Sequence, residues 1–187
     1  MFFQIECDSE HWYYNDLKAP RGCLQYYTKV FDTIQSFNFD GTSVQPPNQD
    51  YAVCICNEGH VGGRTCGITL RALNFGMMVG REDFPACIQG SEIVNLNERR
   101  ECCLARDSSY LGITAGQPDP NQSDRSATRR YWCGKELGTT GQISGKLEPY
   151  YMKVHSGSFD MQDVEAVEKE YQPIGFQINY KVDTGIC

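Results

Sequence analysis

The sequence predicts an all-β protein: an antiparallel β-sandwich braced by disulfides, with one short inserted helix. Three observations predict it. Several short stretches alternate between apolar and polar residues, clusters of Gly, Pro, Asn and Asp separate them, and ten cysteines occur in 187 residues. A chain of this length can bury a real hydrophobic core. Eleven tyrosines and nine phenylalanines argue against a disordered chain.

Residues 1–22 are acidic, aromatic and irregular, and they close on Pro20-Arg21-Gly22. They read as an N-terminal extension tied down through Cys7, with residues 23–187 as the domain. A strand is expected at Thr33 to Phe39. In Tyr51-Ala52-Val53-Cys54-Ile55-Cys56, Tyr51, Val53 and Ile55 face one way, and Ala52, Cys54 and Cys56 the other. Asn57 to Gly63 is a Gly-rich turn region, and Cys66 to Ala72 resumes the alternation. Together they carry the signature of a hairpin with a long loop. Further strands are expected at Tyr110 to Thr114, Tyr150 to His155 and Gly175 to Val182. The last has the cleanest pattern: Phe176, Ile178, Tyr180 and Val182 inward, Gln177, Asn179 and Lys181 outward. One segment looks helical, Asp163 to Tyr171, with Val164, Val167 and Tyr171 on one face and Asp160 or Asp163 as N-cap. It reads as a short surface helix between two strands.

Charge and hydropathy exclude several partner classes. The net charge is −7 with only 17 basic residues, and the stretches Arg99-Arg100 and Arg125 to Arg130 are interrupted by acids or small polar residues. A surface that tracks phosphates needs a continuous positive stripe, so nucleic acid is not an expected partner. No apolar run approaches the roughly 20 residues that cross a bilayer, so no membrane insertion is expected. Asn121-Gln122-Ser123 is a glycosylation sequon within the polar stretch Gln117 to Thr128. With the cysteines it points to a secreted, extracellular protein. Met1-Phe2-Phe3-Gln4-Ile5 runs directly into Glu6-Cys7-Asp8, which is no signal peptide, so the expectation is an N-terminus that is not complete.

From Cys23 to Val182 the order of elements resembles a CUB domain, a jelly-roll sandwich, and in particular the divergent CUB-like domains of arthropod secreted proteins. The resemblance is carried by Gly22-Cys23-Leu24-Gln25-Tyr26-Tyr27, by Thr33-Ile34-Gln35-Ser36-Phe37-Asn38-Phe39 and by Asn48 to Ile55. Cys66 to Phe75, Tyr131-Trp132-Cys133-Gly134 and the closing strand Pro173-Ile174-Gly175-Phe176-Gln177-Ile178-Asn179-Tyr180 extend it. It implies a pairing of Cys23 with Cys54, and of Cys102 or Cys103 with Cys133. Calcium-binding CUB domains carry an Asp in a "D-Y-L-E-I" strand, and the matching stretch here is Ser109-Tyr110-Leu111-Gly112-Ile113. The family's later "S-D" has no clear match in His155-Ser156-Gly157-Ser158. A serine hydroxyl is a weak replacement for a carboxylate toward calcium, so no calcium bound in the family's mode is expected. Asp107 and Asp160 are the nearby carboxylates that would have to substitute.

The other cysteines are assigned by inference. Cys54 and Cys56 lie too far apart on one extended face to bridge, so Cys56 is expected with Cys66 across the hairpin. Adjacent Cys102 and Cys103 should have separate partners, one of them Cys87, and Cys7 with Cys187 would tie the ends. The alternative is an intracellular zinc protein using Cys54, Cys56, Cys66, Cys102, Cys103 and His60. It ranks lower because no C-x-x-C knuckle is present.

No catalytic motif, cofactor fingerprint or phosphate loop appears. Glu165, Glu168 and Glu170 fall on the solvated face of the helix, and His11, His60 and His155 are scattered. A non-enzymatic binding module for an extracellular protein or glycan, or for a second copy of itself, is therefore expected. The alternative is a secreted enzyme or inhibitor, with Asp107 or Glu148 as its carboxylate. Tyrosine and tryptophan anchor many interfaces, and Trp12, Tyr13, Tyr14, Tyr26, Tyr27, Tyr150 and Tyr151 are the candidate surface, with one tyrosine of each pair pointing outward.

Overall fold

Alternating apolar residues bury one face of a strand, and two such sheets must cover each other. The computed structural model shows this arrangement; it describes residues 19, 22–55, 64–80, 103–104, 107–113, 131–135, 137, 142–145, 150–168 and 171–185. The strands are β1 (Cys23–Tyr27), β2 (Phe31–Gln35), β3 (Gln49–Ile55), β4 (Arg64–Gly76), β5 (Tyr110–Ile113), β6 (Tyr131–Trp132), β7 (Gln142–Gly145), β8 (Tyr150–Ser156) and β9 (Gly175–Gly185). Helix α1 spans Met161–Glu168 between β8 and β9. A five-stranded sheet runs β1-β3-β8-β5-β6, and a four-stranded sheet runs β2-β9-β4-β7.

The two inner faces supply one core. The five-stranded sheet contributes Tyr51, Val53, Ile55, Leu111, Ile113, Trp132, Tyr150, Met152 and Val154, and the four-stranded sheet Ile34, Ile68, Leu70, Ile143, Phe176, Ile178, Tyr180 and Val182. The alternation expected for β9 is present throughout, with Asn179 and Lys181 exposed between buried neighbours. The Tyr180 hydroxyl reaches the rim and donates to the Lys29 carbonyl at 3.0 Å, and burial raises its pKa. Gly175 opens β9 at φ +88°, where a Cβ would also collide with the Ser36 hydroxyl. That hydroxyl accepts the Phe176 amide at 3.1 Å.

Three expectations need correction. First, β3 and β4 are not a hairpin, because β3 pairs with β1 and β8 while β4 pairs with β9 and β7. Alternation shows which side chains are buried but not which sheet receives them, so a crossing between sheets imitates a hairpin. The bridge expected between Cys56 and Cys66 rested on that hairpin and falls on side chains outside those described. Second, the first expected strand starts earlier and stops at Gln35 rather than Phe39. Asn38 sits at φ 58° and the Phe39 amide donates back to Ser36 at 3.2 Å, so the chain turns there. Third, the helix lies two residues upstream of its expected start. Asp160 is the N-cap: its carboxylate accepts the Gln162 amide at 2.8 Å and the Asp163 amide at 3.0 Å, while Asp163 accepts the Asp160 amide at 3.0 Å. Val164 is buried and Tyr171, beyond the helix end, packs beside it against Met78. The Val167 side chain lies outside those described. The expected antiparallel sandwich is present, with one parallel pairing among the described strands, that of β1 with β3.

Among the described residues two disulfides are seen, Cys23–Cys54 and Cys103–Cys133. Both follow the pairing that the family resemblance implies, with Cys103 rather than Cys102 as the partner of Cys133. Cys54 and Cys103 therefore have no thiolate to offer zinc, which removes two ligands of the zinc alternative. The positions Cys7, Cys87, Cys102 and Cys187 lie outside the described residues.

Candidate functional site

The outer face of the five-stranded sheet is set by the same period that fills the core. Register places Tyr26 beside Cys54 and Cys54 beside Tyr151; one row on, Ala52 is beside Lys153 and Lys153 beside Gly112, which faces Tyr131. In the next outward row Asp50 is beside His155, and His155 beside Tyr110. The outward residues thus form a stripe of Tyr26, Tyr151, Lys153, Tyr131, Tyr110, His155 and Asp50. Gly112 lies between Lys153 and the Tyr131 ring, where a Cβ would meet both at ordinary contact distance.

The far end of this stripe is an ordered cluster. Tyr110 stacks on His155 with ring centroids 5.0 Å apart and meets Tyr131 edge-on at 5.2 Å. Lys153 Nζ lies 5.9 Å from the Tyr110 centroid and 3.4 Å from Asp50 Oδ1, which is also 3.1 Å from His155 Nδ1. Partial burial opposes the charge on Asp50, but the hydrogen bond from His155 and the Lys153 ammonium prevail and lower its pKa. Partial burial likewise opposes the charge on Lys153, and Tyr110 and Asp50 outweigh it to raise its pKa. The rings are held from below by the Cys103–Cys133 disulfide and Val79.

Beside the cluster opens a groove of ≈ 540 Å³ lined by Asn48, Asp50, Asp107, His155, Ser156, Gly157 and Ser158. Its floor is knitted by buried serines. Ser156 Oγ donates to the Pro46 carbonyl at 2.6 Å and accepts from Gln45 Nε2 at 3.2 Å. Ser109 Oγ accepts the Gly157 amide at 3.1 Å, and Ser108 Oγ the Gly80 amide at 2.8 Å. Among the described residues, no three of His, Cys, Asp and Glu gather as metal ligands would.

The expected tyrosine surface is partly brought together. Tyr26 and Tyr151 share the outward stripe, whereas Tyr27 packs on the core against Tyr180 at 5.9 Å and Tyr150 is buried. One tyrosine of each pair faces outward, as the alternation requires. Trp12, Tyr13, Tyr14 and Asn121 lie outside the described residues, as does Glu148. Sequence reasoning missed Tyr110, Tyr131, Lys153, His155 and Asp50. The alternation of Tyr151, Lys153 and His155 was a usable signal for three residues of the face, but their neighbours come from other strands.

The described residues form a disulfide-braced sandwich with apolar inner faces and a polar-aromatic outer face on its five-stranded sheet. The model of the animal CUB domain matches residues 20–183, and the chain belongs to that family. CUB domains are interaction modules of extracellular proteins and are generally not catalytic. Comparison with curated proteins gave no match. Among solved structures the chain is similar to the full extracellular region of zebrafish Gpr126/Adgrg6, with 15% identity, 88% of this chain and 15% of that one covered, and a TM-score of 0.47. It is similar to the CUB1-EGF-CUB2 domains of human MASP-1/3, with 14% identity, 86% and 42% covered, and a TM-score of 0.49. The MASP-1 CUB2 domain bound to Ca2+ is 14% identical, with 85% and 98% covered and a TM-score of 0.45. The chain thus spans less than half of the first two. The family assignment rests on the family model and not on these likenesses.

Proposed function

We propose that this chain is a secreted, non-enzymatic interaction module, of the kind seen in arthropod CUB-like proteins, that recognises an extracellular protein through the outer face of its five-stranded sheet. One observation carries the reading: the ordered cluster of Tyr110, Tyr131, His155, Lys153 and Asp50 on a solvent-facing sheet. Aromatic and charged side chains held in place before binding lose little freedom on association, which is what a protein interface uses. A sugar ring would stack on an open aromatic face, but Tyr110 is already stacked on His155, so a protein partner suits the cluster better than a glycan. Secretion is supported by the disulfides and the Asn121 sequon, and an assembly of several copies is one form the partner can take.

The test places a photo-crosslinking residue at Tyr151 or Lys153, and at Asn179 as control on the opposite sheet, in the full chain exposed to its native extracellular fluid. Adducts of one discrete mass at Tyr151 and Lys153 but not at Asn179 are expected. Sedimentation velocity on the purified chain separates self-association from a foreign partner. Equal labelling of both sheets would remove the reading.

A further inference from the structure

The end of the sandwich below the groove joins four separate stretches of chain: Gln45 to Asn48 before β3, Met78 to Gly80 after β4, Asp107 to Ser109 before β5, and Ser156 to Gly157 at the end of β8. This is where the family's calcium-binding pattern has its carboxylates, in the strand matched by Ser109 to Ile113 and in the segment matched by His155 to Ser158. The residues present do not fit an ion there. Ser109 is wholly buried, and its hydroxyl is engaged by the Gly157 amide at 3.1 Å. Gly157 cannot be replaced by an acid, because a Cβ at this position would collide with the Asp107 carbonyl. Asp160 is committed to capping α1 through the Gln162 and Asp163 amides. Asp50 is held by Lys153 and His155. Among the described carboxylates of this end, Asp107 is left, and calcium binds through several hard oxygen ligands, usually with more than one carboxylate.

Direct hydrogen bonds join these four stretches. Among the described residues the buried polar side chains are Ser36, Gln45, Ser108, Ser109 and Ser156, and all but Ser36 belong to this end. Ser109 ties β5 to β8 through Gly157, and its own amide donates to the Met78 carbonyl at 2.7 Å. Ser108 holds the Gly80 amide at 2.8 Å. Gly157 returns its carbonyl to the Asn48 amide at 3.0 Å, and Ser156 fixes Pro46 and Gln45. Each stretch is bonded to at least one other, and the backbones approach at Gly157 more closely than a side chain there would permit.

We propose that a serine–glycine clasp replaces the divalent ion at this end of the sandwich, so that the fold and its binding face form without calcium. The full chain is the material for the test. Its thermal midpoint in millimolar CaCl2 is compared with that in EGTA, alongside calorimetric titration with CaCl2. The expected result is a midpoint change below about 1 °C and no saturable heat; a micromolar site in millimolar CaCl2 would raise the midpoint by roughly 8–16 °C. Such a rise, or saturable binding, overturns the proposal. Ser109→Ala supplies a second reading: it strands the Gly157 amide, so the midpoint falls by several degrees, equally in CaCl2 and EGTA. A Ser109→Ala protein as stable as the parent in both buffers would also overturn it.

Discussion

The two sheets are alike inside and unlike outside. Both turn an unbroken apolar face to the core. Outward, the four-stranded sheet carries the exposed Phe31, Arg71 and Lys181 and, between them, polar side chains that pair across strands: Thr33 donates to Asn179 at 2.8 Å, Asn74 to Gln177 at 3.0 Å and Thr69 to Asp183 at 3.1 Å. The five-stranded sheet carries rings and charges, and both described disulfides. A ladder of amides and hydroxyls suits water. Half-buried rings stacked beside an ion pair leave apolar surface and fixed charge for a partner. On the proposed reading, the side with the ordered cluster is the one that recognises a partner.

Substitutions can break this contrast, beginning with the shared interior. Phe176→Ala empties a fully buried site and should cost about 3–5 kcal/mol in urea unfolding, whichever sheet is considered. Replacing Cys103 and Cys133 together by serine should cost about 2–4 kcal/mol. The same change should loosen Tyr110 and Tyr131, which pack against that bridge, and so weaken the near-ultraviolet dichroism.

High pH probes both sheets at once. Burial pushes the Tyr51 hydroxyl up to about 12 and also raises the pKa values of Tyr171 and Tyr180. Below the ordinary tyrosine value of about 10 these groups are protonated in both folded and unfolded chains, so their contribution is complete. Above it only the unfolded chain ionises, so stability falls as pH rises from about 10 toward 12. Absorbance at the phenolate band should show these tyrosines titrating late and together with unfolding; early titration would place them in water.

The smallest effects separate the outer faces. Tyr110→Ala removes its contacts with Tyr131 and His155 and should cost about 0.5–1.5 kcal/mol, with loss of crosslinking at Tyr151. Asn179→Ala, exposed on the other sheet, should stay within about 0.5 kcal/mol and leave crosslinking unchanged. Reversed outcomes would move the binding face to the four-stranded sheet.

Much of the fold was legible in the residues, because burial follows local period. Phe176, Ile178, Tyr180 and Val182 announced β9 without any partner being known, whereas the residues left the helix cap open between Asp160 and Asp163. What periodicity does not encode is the destination of a strand. Tyr51 to Ile55 and Cys66 to Ala72 look like two arms of a hairpin, yet they enter different sheets. The site suffered from the same gap. Tyr110, Tyr131, Lys153, His155 and Asp50 come from four strands, and only the register between β3, β8, β5 and β6 makes them neighbours.

The strand latest in chain order among those described, β9, sits in the interior of its sheet, between β2 and β4. Until it arrives, neither of those strands has that neighbour, and each offers an open edge to any other extended chain. At synthesis rates of about 5–20 residues per second, on the order of ten seconds separate the completion of β4 at Gly76 from that of β9 at Gly185. During that interval half of the sandwich waits for its keystone. A nascent chain of this design therefore carries those open edges for as long as β9 is missing, and a chain that stops upstream of Gly175 keeps them.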